Sequence, residues 1–182
     1  MYIGICGLAG SGKDTSADYL STLTGFKKYS FAAPLKKMLA AIGAHEPKRE
    51  DKEKVMPGFG VSYRHMAQTL GTEWGRNLQH SGFWVDMAIN SAGADAIFSD
   101  TRFVDEAQMV KSKGGIVIMI EGRGGIASNH PSEGVNELRP YVDYFIDNSG
   151  EPAALYRQLD KVYADLVKKS NYAQPNLSLI HI

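Results

Sequence analysis

The sequence feature that most constrains the fold is a glycine-rich segment, GLAGSGKDT, at residues 7–15. An apolar run at 2–6 precedes it and predicts a buried strand, while the pattern of apolar residues over 14–23 predicts a helix. Glycines let backbone N–H groups turn inward around phosphate oxygens, and a helix N-terminus adds about half a positive charge. Lys13 would supply a full charge where β- and γ-phosphates lie. The segment therefore predicts a phosphate-binding loop (P-loop) between a strand and a helix.

The position after the lysine departs from the strict P-loop motif. It normally carries Ser or Thr, whose hydroxyl contacts magnesium, but here it is Asp14, with Thr15 next. Asp14 could hold the metal through a water molecule, or Thr15 could contact a phosphate instead. The alternative without any ligand is an ordinary glycine-rich turn. The context of Gly7, Gly12 and Lys13 favours the phosphate-binding interpretation.

Strand and helix patterns alternate along the rest of the chain. Further strands are predicted at residues 28–31, 94–99, 116–120 and 144–146. Further helices are predicted at about 33–42, 62–80, 83–91, 104–113 and 151–168. The alternation indicates an α/β fold with a parallel sheet covered on both faces. A length of 182 residues, of which 43% are hydrophobic, corresponds to about one domain with a real core.

Charge and cysteine content exclude several classes of protein. Basic and acidic side chains number 20 each, so no net charge attracts nucleic acid or an anionic membrane. The lone Cys6 cannot form an internal disulfide and fits a reducing compartment. No stretch approaches the roughly 20 apolar residues of a membrane span, and the N-terminal apolar run is too short for a signal peptide. We expect a soluble, cytoplasmic protein.

A second chemical signal, DTRF at residues 100–103, follows the predicted strand at 94–99. Ligands of open α/β sheets bind at the carboxyl ends of parallel strands. Asp100 there could orient magnesium through water, and Arg102 could grip a second phosphate with two hydrogen bonds. An ordinary surface ion pair is the alternative, but the nearby P-loop favours the functional interpretation.

Further arginines and aromatic residues supply candidates for substrate binding. Phosphoryl transfer needs positive charge around the moving group, which Arg64, Arg76 or Arg123 could add to that of Arg102. Arg123 lies among glycines, a setting suited to a closing lid. Gln68 could bind the edge of a nucleobase, and Trp74 could stack on it. For Trp74 and Trp84, packing in a helical core is the alternative that the pattern favours.

The motifs together resemble a known family. In order along the chain stand GLAGSGKDT, YRHMAQTLGTEWGR, Trp84, DTRFVDEA, a Gly-Gly pair before a strand, HPSE and VDYFIDNSG. The set is similar to the deoxynucleoside monophosphate kinases of tailed bacteriophages, over about residues 2–165. The resemblance implies a three-layer α/β/α P-loop kinase fold with a mainly parallel sheet. It also implies a helical acceptor-binding insert at about 45–92 and a short lid at about 122–135, within a domain of residues 1–170. The remainder, 171–182, is a tail without a clear pattern.

The resemblance implies transfer of the γ-phosphoryl group of ATP to a deoxynucleoside monophosphate, with Mg²⁺. By position, the catalytic residues would be Lys13, Asp100, Arg102 and Arg123. Those that hold the donor would be Gly7, Ala9, Gly10, Ser11, Gly12, Lys13, Asp14, Thr15, Asn148 and Gly150. Those that bind the acceptor would be Arg64, Gln68, Trp74, Arg76, Arg102 and Phe103. Asp14 and Asp100 would hold the metal through water. The sequence is compatible with a homodimer.

Two other functions are compatible with the same residues. One is a P-loop kinase for another small acceptor, such as dephospho-coenzyme A or a phosphorylated mevalonate. The other is a P-loop nucleotide-binding regulatory module that hydrolyses its nucleotide slowly. The number of arginines disfavours the regulatory module, because such a module needs little charge for an acceptor.

Overall fold

The computed structural model describes residues 1–124 and 135–173. Its five strands are β1 Tyr2–Cys6, β2 Lys27–Tyr29, β3 Ala96–Phe98, β4 Ile116–Glu121 and β5 Tyr144–Asp147. Its helices are α1 Lys13–Thr24, α2 Ala33–Ala41, α3 Tyr63–Gln68, α4 Phe83–Ser91, α5 Val104–Ser112 and α6 Pro152–Ala173. A π-helical segment, Thr69–Gln79, continues α3, and short 3₁₀ helices cover Arg49–Asp51 and Asn136–Tyr141.

The strands form one sheet in the order β2-β3-β1-β4-β5, and every neighbouring pair is parallel. Successive side chains of a strand point to opposite faces. In β1, Ile3 and Ile5 therefore face α1 and α6, while Tyr2 and Cys6 pack with residues of α4 and α5. The predicted α/β fold, three layers with a parallel sheet in the middle, is confirmed.

The parallel arrangement brings four strand ends to one edge of the sheet. β1 leads into the P-loop, β3 into Asp100, β4 into Gly122 and β5 into Asn148. A separate apolar cluster lies beyond this edge, where α2, α3 and α4 meet, and consists of Leu35, Leu39, Ala44, Tyr63 and Trp84. We call it the insert cluster. The candidate residues of the strand ends therefore lie next to the helices that form this cluster, since Asp100 accepts a hydrogen bond from Phe31 N just before α2.

Two predicted helices differ from the observed ones. The helix predicted at 62–80 begins as expected, with Ser62 Oγ accepting a hydrogen bond from His65 N, but it turns π-helical at Thr69. Trp84 Nε1 donates a hydrogen bond to Gly71 O at 2.7 Å, so a tertiary contact takes up a carbonyl of this segment. Such contacts can override local helix preference. The last helix was predicted to end at 168 but continues to Ala173, and residues 174–182 lie outside the described ones.

Candidate active site

The P-loop has a backbone shape that only glycine adopts readily. Gly7 and Gly12 have φ angles of 141° and 105°, in the left-handed region. A Cβ at Gly12 would lie 2.5 Å from Asn148 Nδ2, and one at Gly7 would lie 2.7 Å from Ser11 Oγ. Asn148 Nδ2 donates a hydrogen bond to Ser11 O at 2.8 Å, which ties the loop to the end of β5. The loop is therefore held in shape by the chain itself.

Lys13 and Ser11 differ in whether they can contact a phosphate. Lys13 Nζ donates hydrogen bonds to the carbonyl oxygens of Gly7 and Leu8, both at 2.8 Å, so the ammonium group lies across the loop. Ser11 is fully buried, and its hydroxyl has no hydrogen-bond partner among the described residues. Buried polar groups are rarely left unpaired. Ser11 does not line the cavity described below, so the groups here that fit the phosphates of a nucleotide are the Lys13 ammonium group and the N-terminus of α1.

The segment after β4 lies against the P-loop. A Cβ at Gly124 would come within 3.0 Å of Ala9 O and 3.2 Å of Ser11 N. Arg123 is exposed and donates a hydrogen bond to Gly150 O at 2.8 Å, which joins the predicted lid to the loop after β5. The rest of that lid, residues 125–134 with the HPSE motif, lies outside the described residues.

A cavity of about 570 Å³ joins the P-loop to the insert. It is lined by ten residues that the sequence suggested as ligands: Ala9, Gly10, Lys13, Asp14, Arg64, Gln68, Arg76, Asp100, Arg102 and Phe103. The other suggested residues do not line it: Gly7, Ser11, Gly12, Thr15, Trp74, Arg123, Asn148 and Gly150. Asp14 faces the cavity and Thr15 does not, although both are exposed near the start of α1.

Asp100 connects β3 to the start of α2. Its carboxylate accepts hydrogen bonds from Ser30 Oγ at 2.5 Å and from the backbone N–H groups of Phe31 and Ala32 at 2.9 and 3.1 Å. Carboxylates are favourable at helix N-termini, where these N–H groups lack partners within the helix. Asp100 thus fixes one wall of the cavity while it lines the cavity itself.

Arg76 is held in the cavity wall by two carboxylates. Its guanidinium donates to Asp105 Oδ2 and to Glu106 Oε1, both at 2.6 Å, and it lies over the Phe103 ring at 3.6 Å from the centroid. Only 9% of its side chain is exposed. The predicted ligand Arg76 therefore reaches the cavity with much of its hydrogen-bonding capacity used by the protein.

Sequence reasoning missed Glu106, which organises the same wall. Its Oε2 accepts hydrogen bonds from the backbone N–H groups of Arg102 and Phe103, at 2.7 and 3.1 Å. Burial, with the nearby charge of Asp100, raises the pKa of Glu106 to about 8, although Arg76 lowers it in part. One feature of the sequence could have indicated this role: Glu106 lies in the first turn of α5, where a glutamate side chain can accept hydrogen bonds from the backbone N–H groups that precede the helix.

The mixed-charge segment at 45–54 was interpreted as a solvated helix face or a loop. Part of it instead turns toward the cavity, because Glu46, Pro47 and Lys52 line it. Glu46 forms ion pairs with both Lys36 and Lys52. Burial raises the pKa of Glu46, but hydrogen bonds from these lysines outweigh burial and leave that pKa below its ordinary value.

Of the two candidate tryptophans, one packs among other aromatic rings and the other also lines the cavity. Trp74 packs edge-on against Phe83, with ring centroids 5.4 Å apart, and against the insert cluster, so the packing alternative holds for it. Trp84 belongs to the insert cluster and also lines the cavity. Gln68 lines the cavity as well, close to Arg64, whose Nε pairs with Glu53.

Two viral proteins are similar to this chain in sequence. A protein of Acanthamoeba polyphaga mimivirus, named "Putative deoxynucleotide monophosphate kinase", is 35% identical over 170 residues, which cover 79% of this chain and 85% of the relative. The deoxynucleoside-5'-monophosphate kinase of Escherichia phage T5 is 29% identical over 132 residues, which cover 57% of this chain and 53% of the relative. No protein-family model matches the sequence.

A solved structure supports the fold. Shikimate kinase from Aquifex aeolicus has a TM-score of 0.52 and 14% identity, and the match covers 93% of this chain and 98% of that one. At this identity the likeness shows the fold alone, which is that of a P-loop kinase. Because its fold is that of a kinase and its sequence matches most of the mimivirus relative, the chain is a nucleotide-using phosphotransferase of the deoxynucleoside monophosphate kinase family.

Proposed function

We propose that this protein transfers the γ-phosphoryl group of ATP to a deoxynucleoside monophosphate, giving ADP and the deoxynucleoside diphosphate. One observation carries the proposal. A single cavity joins the P-loop residues Lys13 and Asp14 to Arg102 at the end of β3 and to Gln68 of the insert. In-line transfer requires donor and acceptor phosphates in one enclosed space, with positive charge between them.

The donor half of the cavity is the P-loop, residues 7–15, with the segments that hold it. In this proposal its backbone N–H groups bind the phosphates of ATP, and Lys13 neutralises charge on the transferring group. Asn148 keeps the loop in shape through Ser11 O. With Gly150, which follows it closely, Asn148 would border the adenine.

Magnesium is part of the proposal because the acidic residues of the cavity suit it. Mg²⁺ is usually bound through one or two carboxylates, water and substrate phosphates. Asp14, beside Lys13 in the sequence, and Asp100 both line the cavity and would hold the ion through water. When bound, the ion would neutralise charge on the β- and γ-phosphates.

The acceptor half of the cavity is Arg102 and Phe103 together with the insert, about residues 45–92. In this proposal Arg102 binds the acceptor phosphate, and Arg64, Gln68 and Arg76 border the nucleoside. No general base is required, because a phosphate monoester has its second pKa near 6 and is already mostly dianionic at neutral pH. Orientation and positive charge then supply most of the catalysis.

Arg123 and the segment at about 122–135 would form the lid. Charge that arrives only when a lid closes stabilises the transition state more than the bound substrates. Support comes from the contact between Gly124 and the P-loop, which places the base of this segment beside the donor half.

Among the described residues, no helix combines the length and the apolar character that a membrane span requires. The cytoplasmic location is an expectation from the sequence and is part of this proposal.

An acceptor panel tests the proposal. ADP formation is measured with ATP and Mg²⁺ for the four deoxynucleoside monophosphates, the four ribonucleotides, dephospho-coenzyme A, phosphomevalonate and shikimate. We expect at least one deoxynucleoside monophosphate to give a kcat/KM far above those of the acceptors that are not nucleotides. Preference for one of these other acceptors would replace the proposal with a different kinase activity.

A further inference from the structure

The hydroxyl group of Tyr63 is a buried polar group that the acceptor half leaves unsatisfied. Tyr63 is 3% exposed and lines the cavity, and its Oη has no hydrogen-bond partner among the described residues. Most buried hydroxyls are paired, so an unpaired one in a cavity wall calls for a physical reason. A ligand that brings a hydrogen-bond acceptor into the cavity supplies one.

The surroundings of Tyr63 favour a neutral ligand group over a phosphate. The ring packs in the insert cluster, among Leu35, Leu39 and Trp84. Burial, together with the negative charge of Glu46, raises the pKa of Tyr63 to about 12, so the phenol stays protonated and can donate. The charges near this position are engaged with one another, since Glu46 pairs with Lys36 and Lys52 and Arg64 pairs with Glu53, whereas Lys13 and Arg102 line the cavity at the strand ends.

The backbone on both sides of Tyr63 fixes its position. Ser62 pairs with Val55 in an antiparallel bridge, and the N–H of Arg64 donates to Lys52 O at 3.0 Å. Tyr63 itself begins α3, so its main chain is ordered by contacts on either side. A side chain held in this way is preorganised and loses little entropy when a ligand binds.

We propose that Tyr63 Oη donates a hydrogen bond to an oxygen atom in the nucleoside part of the acceptor, which makes Tyr63 a specificity-determining residue. The inference rests on the proposed function and adds to it a contact that recognises the neutral part of the acceptor. The oxygen could belong to the sugar or to the base. Both offer the same chemistry, an uncharged hydrogen-bond acceptor, and analogues distinguish them.

The first test is Tyr63→Phe, which removes only the hydroxyl. We expect the KM for the deoxynucleoside monophosphate to rise about 3- to 10-fold, the range for a single neutral hydrogen bond, with the KM for ATP unchanged. Because the hydroxyl has no partner in the free protein, the melting temperature should stay the same or rise. Tyr2→Phe is the matched control, since Tyr2 is also buried, at 6% exposure, but lies outside the cavity.

The second test combines the variant with acceptor analogues. If the contact is with the sugar 3'-hydroxyl, a 2',3'-dideoxynucleoside monophosphate should show no further loss in Tyr63→Phe. If it is with the base, the penalty of the variant should differ between bases and be the same for deoxy and dideoxy sugars.

Three outcomes would overturn the inference. If the wild-type protein is active and Tyr63→Phe has an unchanged KM for the acceptor, the inference is overturned but the proposed function is not. A clear fall in melting temperature would mean that the hydroxyl has a structural partner. A wild-type protein that phosphorylates no deoxynucleoside monophosphate would overturn the proposed function and the inference with it.

Discussion

Backbone atoms shape the donor half of the cavity, whereas side chains shape the acceptor half. The P-loop depends on glycine conformations and on the bond from Asn148 to a main-chain carbonyl. The acceptor half depends on ion pairs instead, such as Arg76 with Asp105 and Glu46 with its two lysines. Because of this difference, we expect the two halves to respond differently to substitution. Changes in the donor half should affect all acceptors alike, and changes in the acceptor half should alter which acceptor is used.

Lys13→Ala should have the largest effect on catalysis. It removes the charge beside the transferring phosphoryl group, so we expect kcat/KM to fall by about 10³-fold or more for every acceptor. Lys13 is only partly buried, so the melting temperature should change little. Steady-state kinetics check the prediction. The control is Lys113→Ala, which removes a lysine at an exposed position. Near-normal turnover in Lys13→Ala would remove the donor half from the mechanism.

Arg102→Ala should weaken binding in the acceptor half of the cavity and leave the donor half unaffected. Loss of hydrogen bonds to a charged phosphate costs about 1.5–3 kcal/mol, or roughly 10- to 150-fold in the KM of the acceptor. The KM for ATP should stay nearly unchanged. Arg157→Ala, an exposed arginine of α6, is the control. An equal rise in the KM for ATP would instead assign Arg102 to the donor half.

Gly12→Ala tests whether backbone shape defines the donor half. The new Cβ would meet Asn148 Nδ2 at 2.5 Å, and φ at this position is 105°. We expect a loss of about 1–3 kcal/mol in the free energy of unfolding and weaker ATP binding. Gly93→Ala is the control, because its Cβ would meet nothing within 4 Å. Denaturant unfolding and ATP titration measure both effects, and equal stability of the two variants would contradict the prediction.

Glu106→Gln should reveal a pH dependence that belongs to the acceptor half. The folded pKa of Glu106 is raised from 4.5 to about 8, so between these values the folded chain keeps a proton that the unfolded chain releases. The contribution to stability is therefore full at low pH and is lost as the pH rises toward 8. Between about pH 5 and pH 8, wild type should lose more than about 1 kcal/mol relative to the variant. Parallel unfolding curves at all pH values would contradict this assignment.

The same division explains how much could be predicted from the sequence. The P-loop and the buried strands are local patterns, and GLAGSGKDT lies between a strand and a helix, as its pattern predicted. The acceptor half depends on contacts between distant residues. Nothing near Glu106 in the sequence indicates Arg76 as its partner, 30 positions away. The π-helical turns of Thr69–Gln79 involve a hydrogen bond from Trp84, so the local pattern predicted an ordinary helix there.

The most direct test follows the phosphoryl group itself. The wild-type protein is incubated with ATP labelled at the γ-phosphate, Mg²⁺ and each deoxynucleoside monophosphate in turn, and the products are separated. We expect the label to appear in the β-phosphate of a deoxynucleoside diphosphate, in an amount equal to the ADP formed. Label found only in inorganic phosphate, whichever acceptor is present, would contradict the account and indicate a nucleotide-hydrolysing regulatory module instead.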